Sequence, residues 1–143
     1  KDSIKQISAT GVKILTQSID LANARIEFTK GCVANLTASR ISIKQMRKLR
    51  VFETKYYSSL DLQNYKLDCF TIRNTISKGA NLNDNIVHLD SKTIPPGNAL
   101  YQELVSFINS IQHSGNINVG ALEGKKAIQI ALQIQQKINE NCQ

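Results

Sequence analysis

Residues 20–43 read Asp20-Leu-Ala-Asn-Ala-Arg-Ile-Glu-Phe-Thr-Lys-Gly-Cys-Val-Ala-Asn-Leu-Thr-Ala-Ser-Arg-Ile-Ser-Ile43. In the first half, Ala22, Ala24, Ile26 and Phe28 alternate with Asn23, Arg25 and Glu27. In the second, Ala34, Leu36 and Ala38 alternate with Val33, Asn35, Thr37 and Ser39. Period-two alternation marks strands buried on one face. The Lys30-Gly31 pair between them supplies the φ > 0 that a tight hairpin needs. The stretch therefore predicts two antiparallel strands, Asp20–Thr29 and Cys32–Ile43, and they open a meander running to Ile72.

Working outward, Ile4–Leu15 predicts an opening strand with imperfect alternation, in which Gly11 marks a bulge or a close backbone approach. On the other side, a strand is expected over about Arg47–Tyr57. Ser58–Leu62 continues it or opens a new one, and Gln63-Asn64 turns the chain into Tyr65–Ile72. Arg73–Asn85, rich in Asn, Ser, Gly and Asp, is expected to be a long loop, and Ile86–Asp90 a short strand with Val87 and Leu89 opposite His88. Pro95-Pro96-Gly97 is firm punctuation. A helix follows over Asn98–Ser114, capped by Asn98 and stopped by Gly115, with Leu100, Leu104, Phe107, Ile108 and Ile111 at helical spacing. A second helix spans about Ala121–Asn139, with Ala127, Ile128, Ala131, Ile134/Gln135 and Ile138 as its buried stripe. The expected fold is α+β: one open-faced, mainly antiparallel sheet of about five or six strands, with two C-terminal amphipathic helices packed on one face.

At 143 residues, the chain is expected to form one domain, 1–143. It carries 41% hydrophobic and 20% charged residues, no apolar run of membrane-span length and no signal-peptide pattern. It opens at Lys1 without an initiator Met, directly before a strand-like segment, so a fragment, a processed chain or a trimmed one is expected. The net charge of +7 is uneven, since residues 1–92 hold 15 of the 18 basic and 8 of the 11 acidic groups. That asymmetry raises an anionic partner. Cys32, Cys69 and Cys142 are odd in number and widely spaced, which fits a reducing cytoplasm rather than a disulfide framework. His88 and His113 lie far from each other and from any cysteine cluster, so no metal site is expected. The Asn35-Leu-Thr37 sequon reads as chance.

The catalytic inventory is thin. No strand runs into G-x-G-x-x-G and no P-loop occurs. Gly120-Ala-Leu-Glu-Gly124 reads as a helix start rather than a phosphate turn. The sharpest positive feature is the basic stretch Arg40, Lys44, Arg47, Lys48, Arg50 and Lys55. As a solvated strand face it would discourage edge-to-edge pairing. As an anion site it would have Tyr56 and Tyr57 beside it to stack on a base or sugar, although no nucleic-acid recognition motif accompanies it.

Two stretches carry a family likeness. Ile19 to Arg40 resembles the start of the C-terminal sheet in oxidoreductases of the Gfo/Idh/MocA family, relatives of glucose–fructose oxidoreductase and inositol dehydrogenase. Asn98-Ala-Leu-Tyr-Gln-Glu-Leu-Val-Ser-Phe-Ile-Asn-Ser-Ile111, followed by Asn118-Val-Gly-Ala-Leu-Glu-Gly-Lys-Lys-Ala-Ile128, is similar to that family's closing pair of helices. The basic strand fits its sugar-nucleotide branch. The resemblance implies a C-terminal domain that shapes a sugar pocket and mediates self-association, as a homodimer or tetramer through the open sheet face. On that face lie Val33, Asn35, Thr37, Ser39, Leu49 and Val51. It also implies that NAD or NADP, the catalytic lysine and the proton-transfer groups belong to an N-terminal Rossmann part of a larger parent. No catalytic, cofactor-binding or metal residue is therefore expected in this chain, which alone is expected to be inactive. Arg40 is the one candidate substrate-binding residue, for an anionic group of the parent's substrate. The competing expectation is a stand-alone basic β-sheet module for an anionic ligand or nucleic acid.

Overall fold

The computed structural model describes residues 2–72, 86–113, 117 and 119–141. The expectations for Arg73–Asn85, the Gly115 stop and the His88 side chain lie outside the described residues. Seven strands are followed by two helices: β1 Ile4–Val12, β2 Leu21–Phe28, β3 Val33–Ser39, β4 Lys48–Phe52, β5 Tyr56–Asp61, β6 Lys66–Ile72, β7 Ile86–Thr93, α1 Ala99–Gln112 and α2 Ala121–Asn141. All pairings are antiparallel, as the α+β reading expects. The strands form two sheets, ordered β1-β2-β3 and β4-β5-β6-β7, in place of one sheet of five or six. The division falls at residues 40–47, which turn away after Ser39 instead of carrying β3 on to Ile43. Two compact units result, 1–43 with 109–143, and 44–108.

In the first unit, the registers set Ala22 opposite Ala38, Ala24 opposite Leu36 and Ile26 opposite Ala34. Ile7, Ala9 and Gly11 of β1 complete that apolar face. The imperfect alternation of β1 has a local cause. A bulge between Ile4 and Gln6 makes Lys5 an extra residue, which returns Ile4 to the face of its partner Phe28. Gly11 is the close approach. A Cβ there would sit 2.6 Å from Ile138 Cγ2 and 2.9 Å from Ile19 Cγ2, so only glycine lets α2 lie this near β1. Ile138 is 2% exposed and forms the core with Ala9 and Ala24. Asn141 Nδ2 then donates to Ala9 O at 2.9 Å and ties the helix end to the strand.

The buried stripe of α2 is shorter than its periodicity predicts. Ile138 and, in part, Ile134 are covered, whereas Ala127, Ile128 and Ala131 are exposed. Only the C-terminal turns of α2 are seated, through Ile134, Ile138 and Asn141 against β1. α1 goes further, since none of its residues is buried and Leu100, Leu104, Phe107, Ile108 and Ile111 are exposed. Its start is nonetheless as expected, with Tyr101 N donating to Asn98 Oδ1 at 3.0 Å. α2 begins where Gly120 N donates to Glu123 Oε2 at 3.2 Å, half of a capping box.

In the second unit, the strand expected over Arg47–Tyr57 is two strands. Glu53 and Tyr56 exchange backbone bonds, N to O, of 2.8 and 3.3 Å around Thr54-Lys55, so the polar Glu53-Thr54-Lys55 triple is a hairpin turn. The β5–β6 turn falls at Gln63-Asn64 as expected. Asp61 accepts from Gln63 N, Asn64 N and Asn64 Nδ2 at 3.0–3.1 Å, and Tyr65 leaves the turn at φ +54°. β7 extends past Asp90 to Thr93, with a register shift beside Cys69/Phe70.

Candidate functional site

The most polar constellation of the first unit is built around Asp20, whose side chain is fully buried. Its Oδ2 accepts three successive backbone amides, from Ile14, Leu15 and Thr16, at 2.8, 2.8 and 2.9 Å. Its Oδ1 accepts the Thr16 hydroxyl at 2.8 Å and faces Arg40 Nε at 3.1 Å. These donors, led by the Ile14 and Thr16 amides, hold the carboxyl far below the usual carboxylate range against the opposing pull of desolvation. The polar connection before β2 is thus a cradle of converging N–H groups, closed by the carboxylate that follows it.

Arg40, the candidate substrate contact, is the outer wall of this cradle. Its Nη2 donates to Ser18 Oγ at 2.8 Å and to Ile19 O at 2.6 Å. Nη1 has no hydrogen-bond partner among the described residues, and the side chain is 54% exposed. It borders a depression of about 280 Å³ shared with Ile19, Asp20, Ala22, Ala38 and Ser39.

The other face of the first sheet is a polar ladder. Thr37 Oγ1 donates to Asn23 Oδ1 at 2.8 Å, Arg25 Nη1 to Asn35 Oδ1 at 3.3 Å, and Arg25 Nε to Glu27 Oε1 at 3.1 Å. A second depression of about 350 Å³ runs over this ladder from Ser8 and Thr10 to Asn35 and Thr37.

The basic stretch is divided between the two units. Arg40 belongs to the first unit, while Lys48 and Arg50 lie on β4 and Lys55 in the hairpin turn. Lys48 pairs with Asp61 at 3.2 Å. Val33, Asn35, Thr37 and Ser39 are on the first sheet, and Leu49 and Val51 are on the second, so they are not one sheet's face. Tyr56 and Tyr57, adjacent on β5, point to opposite faces. Tyr57 stacks between Phe52 and Phe70, whereas Tyr56 is opposite Thr71. Sequence reasoning missed the role of Asp20 and this aromatic row. A carboxylate at the end of a Thr/Ser-rich connection was the available signal for the first.

Among the described residues, no three His, Cys, Asp or Glu side chains gather as a metal site. No helix there is long and apolar enough to cross a membrane. Every pairing is antiparallel, and the two helix starts are occupied by Asn98 and Glu123 themselves.

No protein-family model matches the chain. A UDP-N-acetylglucosamine 3-dehydrogenase from Acidithiobacillus ferrooxidans is 29% identical over 129 residues, 90% of this chain and 40% of that enzyme. Its crystal structure superposes with a TM-score of 0.83 at 25% identity, over 96% of this chain and 42% of the enzyme. The chain is homologous to the C-terminal region of that dehydrogenase. It spans about two-fifths of the length of the relatives it matches. A protein from Desulfitobacterium hafniense, assigned provisionally as an NADPH-dependent oxidoreductase, shares the fold. Its TM-score is 0.71 at 15% identity, over 96% of this chain and 40% of that one. The likeness to the Acidithiobacillus enzyme therefore holds in sequence and in fold, and that to the Desulfitobacterium protein in fold alone.

Proposed function

We propose that this chain is the substrate-side and self-association part of an NAD(P)-dependent dehydrogenase acting on a nucleotide sugar, in a reducing cytoplasm where its cysteines stay thiols. The observation that carries the proposal is the match to a UDP-N-acetylglucosamine 3-dehydrogenase over nearly the whole chain, in sequence and in fold. In this reading, the hydride carrier and the proton-transfer groups sit on a separate dinucleotide-binding part of the parent. This chain supplies pocket wall and no chemistry of its own.

Arg40 contacts an anionic group of the substrate. Asp20, the Ser18 hydroxyl and the Ile19 carbonyl fix its guanidinium, and Nη1 is the donor left to offer. A fixed fork loses less entropy on binding phosphate or carboxylate than a mobile one. The parent associates as a dimer or tetramer through exposed sheet surface, with Val33 on the first sheet and Leu49 and Val51 on the second.

The test is expression with and without the coding sequence upstream of Lys1, followed by reduction of NAD+ or NADP+ in the presence of UDP-N-acetylglucosamine. Activity is expected only with the upstream part, and Arg40→Ala is expected to raise KM more than it lowers kcat. Turnover by the 143 residues alone would sink the reading. So would an upstream sequence with no strand leading into G-x-G-x-x-G. Sedimentation equilibrium of the chain tests the association, and a strict monomer at tens of micromolar is the contrary result.

A further inference from the structure

Across the second sheet, one row carries an aromatic ring from each of three neighbouring strands: Phe52 on β4, Tyr57 on β5 and Phe70 on β6. Ring centroids are 4.7 Å apart for Phe52–Tyr57 and 5.4 Å for Tyr57–Phe70, with interplanar angles of 21° and 22°. The rings stand nearly parallel, so their stacking axis runs across the strands. Tyr57 covers one side of the Phe52 ring. β4 is the edge strand of this sheet among the described residues, and Phe52 is 73% exposed. The stack is unfinished at its outer end.

Charge decides what would finish it. Lys48 and Arg50 share the face of Phe52, at positions i−4 and i−2 on the same strand. Lys48 is held by Asp61. Opposite Arg50 stand Ser59 and then Asp68, and Asp68 is engaged by Ser91 Oγ at 2.7 Å and Lys66 at 3.2 Å. The Arg50 guanidinium forms no ion pair among the described residues. Arg47 and Lys55 flank the strand, so a second copy of β4 laid against the first would bring like charges together. A planar ring bearing phosphates meets both demands. The ring extends the stack on Phe52, and the guanidinium fork takes phosphate oxygens. Residues two apart on a strand are separated by about 7 Å, comparable with the reach from a base through its ribose to the first phosphate.

We propose that the outer face of Phe52 and the Arg50 guanidinium form a subsite for a nucleoside diphosphate group. This rests on the nucleotide-sugar reading above and concerns the edge strand of the second unit by itself, giving the phosphates to Arg50 as the alternative to Arg40 of the first unit.

The test is NMR titration of the 143-residue chain, labelled at phenylalanine rings and arginine side chains, with UDP, uridine and pyrophosphate. UDP is expected to move the Phe52 ring and Arg50 resonances and to bind about tenfold more tightly than uridine or pyrophosphate. Phe52→Leu keeps apolar bulk but removes the flat face, and it is expected to weaken UDP about tenfold. Arg50→Gln is expected to bring UDP down to the level of uridine. Silent Phe52 resonances at millimolar UDP, or unchanged affinity in Phe52→Leu, would overturn the proposal. Tighter binding of single-stranded oligouridine than of UDP would overturn it too, in favour of nucleic acid. If UDP moves Arg40 and leaves Phe52 still, the subsite falls while the dehydrogenase reading stands. That reading is decided separately by the activity assay.

Discussion

Arg40 Nε stands 3.1 Å from Asp20 Oδ1, and the same carboxylate receives three consecutive amides of the preceding loop. Asp20→Ala would leave the Ile14, Leu15 and Thr16 amides and the Arg40 guanidinium without their common partner. We expect a melting temperature lower by several degrees and loss of amide-exchange protection at residues 14–16. Asp20→Asn is expected to fare little better, because one of its two polar atoms would turn a donor toward donors. Formate or phosphate should restore part of the loss in Asp20→Ala by filling the vacated cradle. Absence of any anion effect would mean that the amides find water instead.

Acid should act through the same carboxylate and through Asp61. The Asp61 carboxyl is lowered to about 2, chiefly by the Asn64 side-chain donor, with the Asn64 amide and Lys48 assisting. Asp20 is lowered further. A carboxyl depressed in the fold contributes stability that is complete above its unfolded value, near 4, and is lost as pH falls through the folded value. Denaturant midpoints are therefore expected to be flat from neutrality to about pH 4 and to fall steeply between about pH 4 and 2. Midpoints unchanged across that window would contradict both assignments.

Gly11 and Ile138 offer a packing test. Gly11→Ala places a methyl 2.6 Å from Ile138 Cγ2, an overpacking expected to cost about 1–3 kcal/mol. Ile138→Ala should cost about 2–5 kcal/mol through the cavity it leaves. In the double variant the added methyl enters that cavity, so the combined loss is expected to fall short of the sum by about 1 kcal/mol or more. Strict additivity in urea titrations would show that α2 lies further from β1.

Tyr65 occupies φ +54°, a conformation that costs a non-glycine residue about 1–2 kcal/mol. Tyr65→Gly, at an exposed turn position, is expected to raise the denaturation midpoint by a good part of that amount. A lower midpoint would mean that the tyrosine side chain contributes more than its backbone costs.

The strands of the first unit were legible because alternation and register are the same physical statement. Ala22, Ala24 and Ile26 share a face, and their partners Ala38, Leu36 and Ala34 follow once the Lys30-Gly31 turn is placed. The hairpin at Glu53-Thr54-Lys55 was not legible, because no glycine, proline or asparagine marks it and Phe52, Tyr56 and Tyr57 read through as β-formers. Helical periodicity located α1 and α2 but could not say how much of each stripe would be covered. That depends on which turns of each helix meet the sheet, which only the fold supplies. Arg40 was picked out by charge and likeness alone. Its anchor, Asp20, lies twenty residues upstream, and no local pattern joins the two.

The seating of Ile138 against Ala9 and Gly11 also sets an order of events during synthesis. The first sheet's apolar face, complete at Ser39, waits for Ile138, made about 100 residues later, on the order of ten seconds at ribosomal speed. Between them lies a whole unit, 44–108, whose β4–β5 and β5–β6 hairpins need only near neighbours and close early. For that interval the nascent chain carries a finished insert inside an unfinished host, with Ile7, Ala9 and Ile26 bare to any chaperone or neighbouring chain.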